Sequence, residues 1–180
     1  MKKLVLVLFV AFTALFSFGQ TTIGHVNTQK VLDTMPSRKA AERELKDFEN
    51  RAVKELQETQ QQLQADYQTL QQKQKTMNPT AFKFEEDRLM KKSQEFQTRQ
   101  QELDQQIQIL SQDLNAPILD MVRKAVKIVC DREKIQYVID ESSLLYSNGR
   151  DLTKLVIIEV LKLDNNDASI NNNTTNGMGQ

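Results

Sequence analysis

The chain has 180 residues, 24 of them basic and 24 acidic, and 39% of it is hydrophobic. That length allows one domain, or a small body with an extension, and the balanced charge gives no global case for nucleic acid or an acidic membrane as a partner. Aromatic content is only 6%, without Trp, and the single Cys, Cys130, excludes an intramolecular disulfide.

Lys2 and Lys3 open a basic start, followed by a largely apolar run from Leu4 to Phe18. Ser17 and Gly19 then place small residues at −3 and −1 of a cut before Gln20. This pattern predicts a secretory signal peptide over residues 1–19, and the run is short for a membrane span. Removing it leaves 22 basic against 24 acidic residues, a mature net of −2.

Ile23-Gly24-His25-Val26-Asn27 reads as a short strand, and Asn27 can cap a short helix over Thr28–Asp33. Met35-Pro36 breaks that helix, because the residue before Pro avoids the helical region. Ser37 is placed to cap a long first arm.

Leu56, Leu63, Leu70 and Met77 follow each other at intervals of seven, as do Phe82, Leu89, Phe96, Leu103 and Leu110. A seven-residue apolar repeat marks helices that supercoil along a seam. Between the two runs, Asn78 is a good N-cap and Pro79 is suited to a first helical turn. The chain is expected to run out along one helix, turn at 77–80, and return along a second. The seam is thin: the partner positions hold Thr59, Asp66 and Lys73 in the first arm, and only Ile107 and Leu114 thicken it in the second. Two apolar positions per heptad would fill a coiled coil, so most of this hairpin's surface must be wet.

Pro117 is expected to kink the return helix or to start a new one. From Ile118 to Cys130 the apolar surface is wider than one stripe, so that segment is buried. Tyr137-Val138-Ile139-Asp140 and Leu144-Leu145-Tyr146 read as strands, Asn148-Gly149 as a turn, and Asp151 as the cap of a final helix through Leu161. From Asp164 the chain is Asn-rich and polar, and disorder is expected.

The fold class is thus α+β: a long antiparallel α-helical coiled-coil hairpin inserted in a small α/β body. Residues 20–36 and 117–163 form the body, 37–116 the hairpin, and 164–180 the tail. A body of roughly 60 residues is marginal alone, and its short strands leave open edges. Both point to an oligomer, with Ile23, Val26, Tyr137, Val138 and Ile139 as candidate contacts.

No residue pattern supports catalysis. His25, the only His, sits in a predicted strand, Cys130 lies on an apolar helix face as a buried thiol would, and Glu85-Glu86 fall on an exposed helix. No metal cluster, nucleophile with its base, or phosphate-binding loop is evident, so neither a cofactor nor a metal is expected. The arms are more informative. Tyr67, Met77, Phe82, Phe84, Met90 and Phe96 gather in the half near the tip. Phe82 and Phe96 belong to the seam row and should pack. Phe84 and Met90 fall off it and can touch apolar segments of a client, for which flexible Met is suited. Lys73, Lys75, Lys83, Arg88, Lys91 and Lys92 outweigh Glu85, Glu86 and Asp87 by three charges. This basic tip suits weak, salt-sensitive contact with an anionic membrane surface or acidic partners.

The order of elements resembles the Skp/OmpH family of periplasmic chaperones. The stretches that carry the resemblance are Ile23-Gly24-His25-Val26-Asn27-Thr28-Gln29-Lys30-Val31-Leu32, Ile135-Gln136-Tyr137-Val138-Ile139-Asp140, and Asp151-Leu152-Thr153 with the apolar helix after it. The resemblance implies a homotrimer whose hairpins hang like tentacles around a cavity. It also implies an ATP-independent holdase that keeps unfolded outer-membrane β-barrel proteins from aggregating in the periplasm. The best-known members are strongly basic, and this chain departs from them in charge. The rival readings are a structural coiled-coil spacer or adhesion protein of the envelope, with the same heptads and no effect on aggregation, and an envelope enzyme with an unrecognised site.

Overall fold

The computed structural model describes residues 22–176, with side chains as far as residue 167. The expected signal peptide lies outside the described residues, as do residues 177–180. Strand β1 (Ile23–Val26) leads through Asn27 into helix α1 (Thr28–Thr34). Asn27 caps α1 as expected, accepting the Lys30 N–H at 2.8 Å. The first arm is α2 (Pro36–Lys73), and the second arm is the first part of α3 (Pro79–Glu133). The chain then forms β2 (Tyr137–Asp140), a 3-10 turn (Glu141–Ser143), β3 (Arg150–Asp151) and α4 (Thr153–Asn176).

The tip follows the sequence reading. Asn78 accepts the Thr80 N–H at 2.9 Å, with Pro79 at the first helical position. At 38 residues, α2 is about 57 Å long at 1.5 Å per residue. Leu63, Leu70, Leu89 and Leu103 are buried between the arms along the heptad rows, and Ala52 is buried at a partner position.

Both body segments meet in one core. Val26, Val31, Leu32 and Met35 pack with Ile118, Met121, Val122, Ala125 and Val129 of α3 and with Leu152, Val156 and Val160 beside or on α4. The sheet order is β2-β1-β3, and both pairings are parallel. The long excursion through both arms is therefore the crossover from β1 to β2. Within β1 and β2, Val26 and Val138 turn toward the core, whereas Ile23, Tyr137 and Ile139 stand exposed.

Four expectations are corrected. Ser37 is not the cap of the first arm: Met35 holds the N-cap position without a side-chain hydrogen bond, and Pro36 opens the helix. The Ser37 N–H is instead satisfied by the buried Asp164 of α4, at 3.2 Å, so the cap comes from a distant element. Of the two expectations for Pro117, the start of a new helix is overturned: α3 runs through it. Proline removes one backbone bond there, and the burial of Ile118, Met121 and Val122 just beyond offsets the loss. Leu144-Leu145-Tyr146 is not a strand. β1 already has a neighbour on each side, so within one chain the triplet finds no free place beside it. Finally, residues 164–176 are helical, continuing α4 beyond the point where disorder is expected. The buried Asp164 ties that helix to the root of the first arm.

Candidate functional site: arm surface and sheet face

The six arm residues singled out for client contact divide into two groups. Met77, Phe82 and Phe96 are half-buried at the seam, while Tyr67, Phe84 and Met90 are exposed, Phe84 at 68%. Phe96 lines a cleft of about 280 Å³ between the arms, together with Leu63, Asp66, Lys92 and Arg99. Met77 lines a second, nearer the tip, with Leu70, Arg88 and Leu89. Phe96 thus lies at the cleft between the arms, Phe82 is half-buried, and Phe84 and Met90 present soft apolar surface to the outside.

Two ion pairs cross the seam, and the sequence reading did not foresee either. Arg99 grips Glu55 through two nitrogens, at 2.6 and 3.2 Å, and Lys92 bonds Asp66 at 2.8 Å. The Arg99 guanidinium holds the Glu55 carboxyl below its ordinary range, and Lys92 with Gln62 does the same for Asp66. Asp66, which looks like a defect in the apolar row, is therefore a polar fastener. The signal was available. An antiparallel hairpin folded at Asn78 pairs residues at similar distances on either side, as both of these pairs are. Exposed pairs of this sort fix register more than they add stability.

The basic tip is divided as well. Arg88 pairs with Glu85 at 2.6 Å, Lys91 with Glu95 at 3.9 Å, and Lys92 with Asp66. Among the described residues, Lys73, Lys75 and Lys83 are the members of the cluster with no carboxylate within ion-pair distance.

In the body, the five candidate contacts also separate. Val26 and Val138 serve the core. Ile23 at 51%, Tyr137 at 62% and Ile139 present an apolar outer face, and Leu145 and Tyr146 in the segment between β2 and β3 are almost without cover. Parallel sheets are ordinarily covered on both faces. This one is covered on one.

Cys130 packs against the core, and burial raises its thiol pKa, away from the thiolate a nucleophile requires. No group of three or more metal-ligating side chains occurs among the described residues, and no helix among them is long and apolar enough to cross a membrane.

A long two-helix hairpin rooted in a small α/β body, with wet arms and an exposed apolar sheet face, defines the architecture. Comparison with known proteins gives this architecture its family. The family model described as outer membrane protein (OmpH-like) matches residues 22–160. Chaperone protein Skp of Photorhabdus laumondii is 30% identical over 165 residues, covering 89% of this chain and 99% of the relative. Chaperone protein Skp of Pectobacterium atrosepticum is 29% identical over 77% of this chain and 84% of its own. The crystal structure of an OmpH-like protein from Caulobacter crescentus has the same fold, with a TM-score of 0.70 at 17% identity, over 79% of this chain and 83% of that one. The chain belongs to the OmpH-like family, the family of the Skp chaperones.

Proposed function

We propose that this chain is an ATP-independent holdase of the periplasm, exported by the signal peptide read at residues 1–19. Three copies join through their bodies, and their arms enclose unfolded outer-membrane β-barrel proteins. The observation that carries this reading is the parallel sheet with one bare apolar face. A second copy fits it better than any other occupant. The sheet has two open edges at β2 and β3, and the chain carries its own strand-forming triplet, Leu144-Leu145-Tyr146, without a partner. Copies that join at the body hold several arm pairs around one space.

Within that space, Tyr67, Phe84 and Met90 offer weak, sequence-tolerant apolar contact, which suffices to bind an unfolded chain and keep it from pairing with others. The basic tip, chiefly Lys73, Lys75 and Lys83, adds weak attraction to an anionic membrane surface that fades with salt. No step of this action calls for catalysis.

The triple variant Tyr67→Ser, Phe84→Ser, Met90→Ser tests the client surface. Because these side chains lie off the buried seam, the variant keeps the helical circular dichroism of the wild type. Its suppression of aggregation of a urea-diluted barrel protein should fall at least threefold. Unchanged suppression by the folded variant would exclude these residues as contacts.

A further inference from the structure

The outer face of the sheet carries one histidine. His25 occupies the central strand, opposite Ile139 of β2 and Asp151 of β3. Strand alternation places it on the same face as Ile23, and its neighbours Ile23, Tyr137 and Ile139 are exposed and apolar. The imidazole is half-buried, and its Nδ1 is buried without a hydrogen-bond partner.

The charged groups around it are already engaged. On β3, Arg150 pairs with Glu133, and Asp151 accepts the Thr153 N–H at 2.8 Å. On β2, Asp140 accepts from Ser142 and from the Thr28 N–H. Lys30 of α1 acts on Asp151 from a distance, as His25 itself does. Asp151 thus attracts a charged His25 through space, and no hydrogen bond joins the two.

We propose that association of copies through this face is gated by protons: His25 must be neutral for the face to be buried, so acidification drives the copies apart. The inference rests on the assembly reading given above. In the separated chain, an imidazolium keeps water on its exposed side and Asp151 nearby. In the assembly, it would lie among Ile23, Tyr137 and Ile139 of joined copies, where the loss of that water outweighs the attraction of Asp151, whose carboxylate is already engaged by the Thr153 N–H. Histidine is the side chain whose charge ordinarily changes between pH 5 and 8. The neighbouring carboxylates do not compete in that window. Hydrogen bonds from Ser142 and Thr28 hold Asp140 at about 2, and those from Thr153 hold Asp151 low. Separated chains therefore bind more protons than assembled ones, and association weakens as pH falls. The limit is one proton per copy, or about tenfold in the association constant per copy per pH unit.

The test is molar mass by light scattering over a dilution series at pH 7.5 and pH 5.5, for wild type and His25→Gln. The concentration at which wild type is half dissociated should rise at least tenfold at the lower pH, and that of His25→Gln less than twofold. Equal behaviour of wild type at both pH values, or equal shifts in both proteins, would overturn the gate and leave assembly standing. A wild type that is monomeric throughout at pH 7.5 would overturn assembly and the gate together. A readout without substitution is also at hand, because His25 is the chain's only histidine. Its imidazole NMR titration midpoint should be lower in concentrated than in dilute protein, and equal midpoints would refute the gate.

Discussion

At the scale of single residues, the body is held by close approaches that leave little room for change. Gly24 is buried in β1, and a Cβ there would lie 2.8 Å from Leu152 Cδ1 and 3.2 Å from the Arg150 carbonyl oxygen. The leucine tip can move, but the carbonyl belongs to the adjoining strand. Gly24→Ala should therefore cost about 1–3 kcal/mol in urea unfolding, as overpacking commonly does, and a loss too small to measure would show that β3 shifts freely. Asp140 ends β2 by collecting the Ser142 N–H, the Ser142 hydroxyl and the Thr28 N–H, which tie the strand to the start of α1. These bonds lower its carboxyl from 3.8 to about 2. A depressed folded-state pKa means stability that is fully present above about pH 5 and fades as pH falls through 4 toward 2. Asp140→Ala should cost about 1 kcal/mol near pH 7, the usual worth of a partly solvated cap. The gap from wild type should close as unfolding is measured from pH 5 downward, whereas a gap independent of pH would assign the loss to packing.

At the scale of elements, the hairpin is a zipper with one row of teeth. Leu89 is among the most completely buried side chains of the chain, although it lies far from the body. Leu89→Ala should remove about 2–4 kcal/mol of local stability. Hydrogen exchange should then speed up along both arms beyond Leu103 toward the tip, and hardly at all in the body core. Equal acceleration in the body would mean that arm and body unfold as one unit. Much of this element was legible beforehand. The heptads, the Asn78-Pro79 turn and the Asn27 cap are local signals, written in spacing and in residues whose backbone chemistry is nearly context-free. The missed features all depend on partners remote in sequence. Ser37 lost its capping role to Asp164, 127 residues away. Leu144-Leu145-Tyr146 has the composition of a strand but pairs with neither edge of the sheet, so propensity alone could not decide it. Pro117 stays helical because both flanks are held, by the seam before it and the core after it.

At the scale of the whole molecule, two surfaces divide the work. The arms present wet helices with scattered Tyr67, Phe84 and Met90, suited to loose contact with many sequences. The sheet presents a compact apolar face, which suits the fixed partner proposed for it, a further copy of the chain. The candidate contacts were only partly legible in the sequence. Strand alternation could not say which side of β1 and β2 faced the core, so Val26 and Val138 were grouped with Ile23, Tyr137 and Ile139 until the packing separated them. In the proposed function, joined copies use their arms to shield unfolded chains. The most direct measurement is light scattering of a barrel protein of the outer membrane diluted from urea, with and without the purified mature protein, at matched salt and without nucleotide, its molar mass read alongside. A trimer that suppresses scattering near one trimer per client is expected. A trimer that leaves the scattering of several such clients unchanged would contradict it and favour a structural stalk.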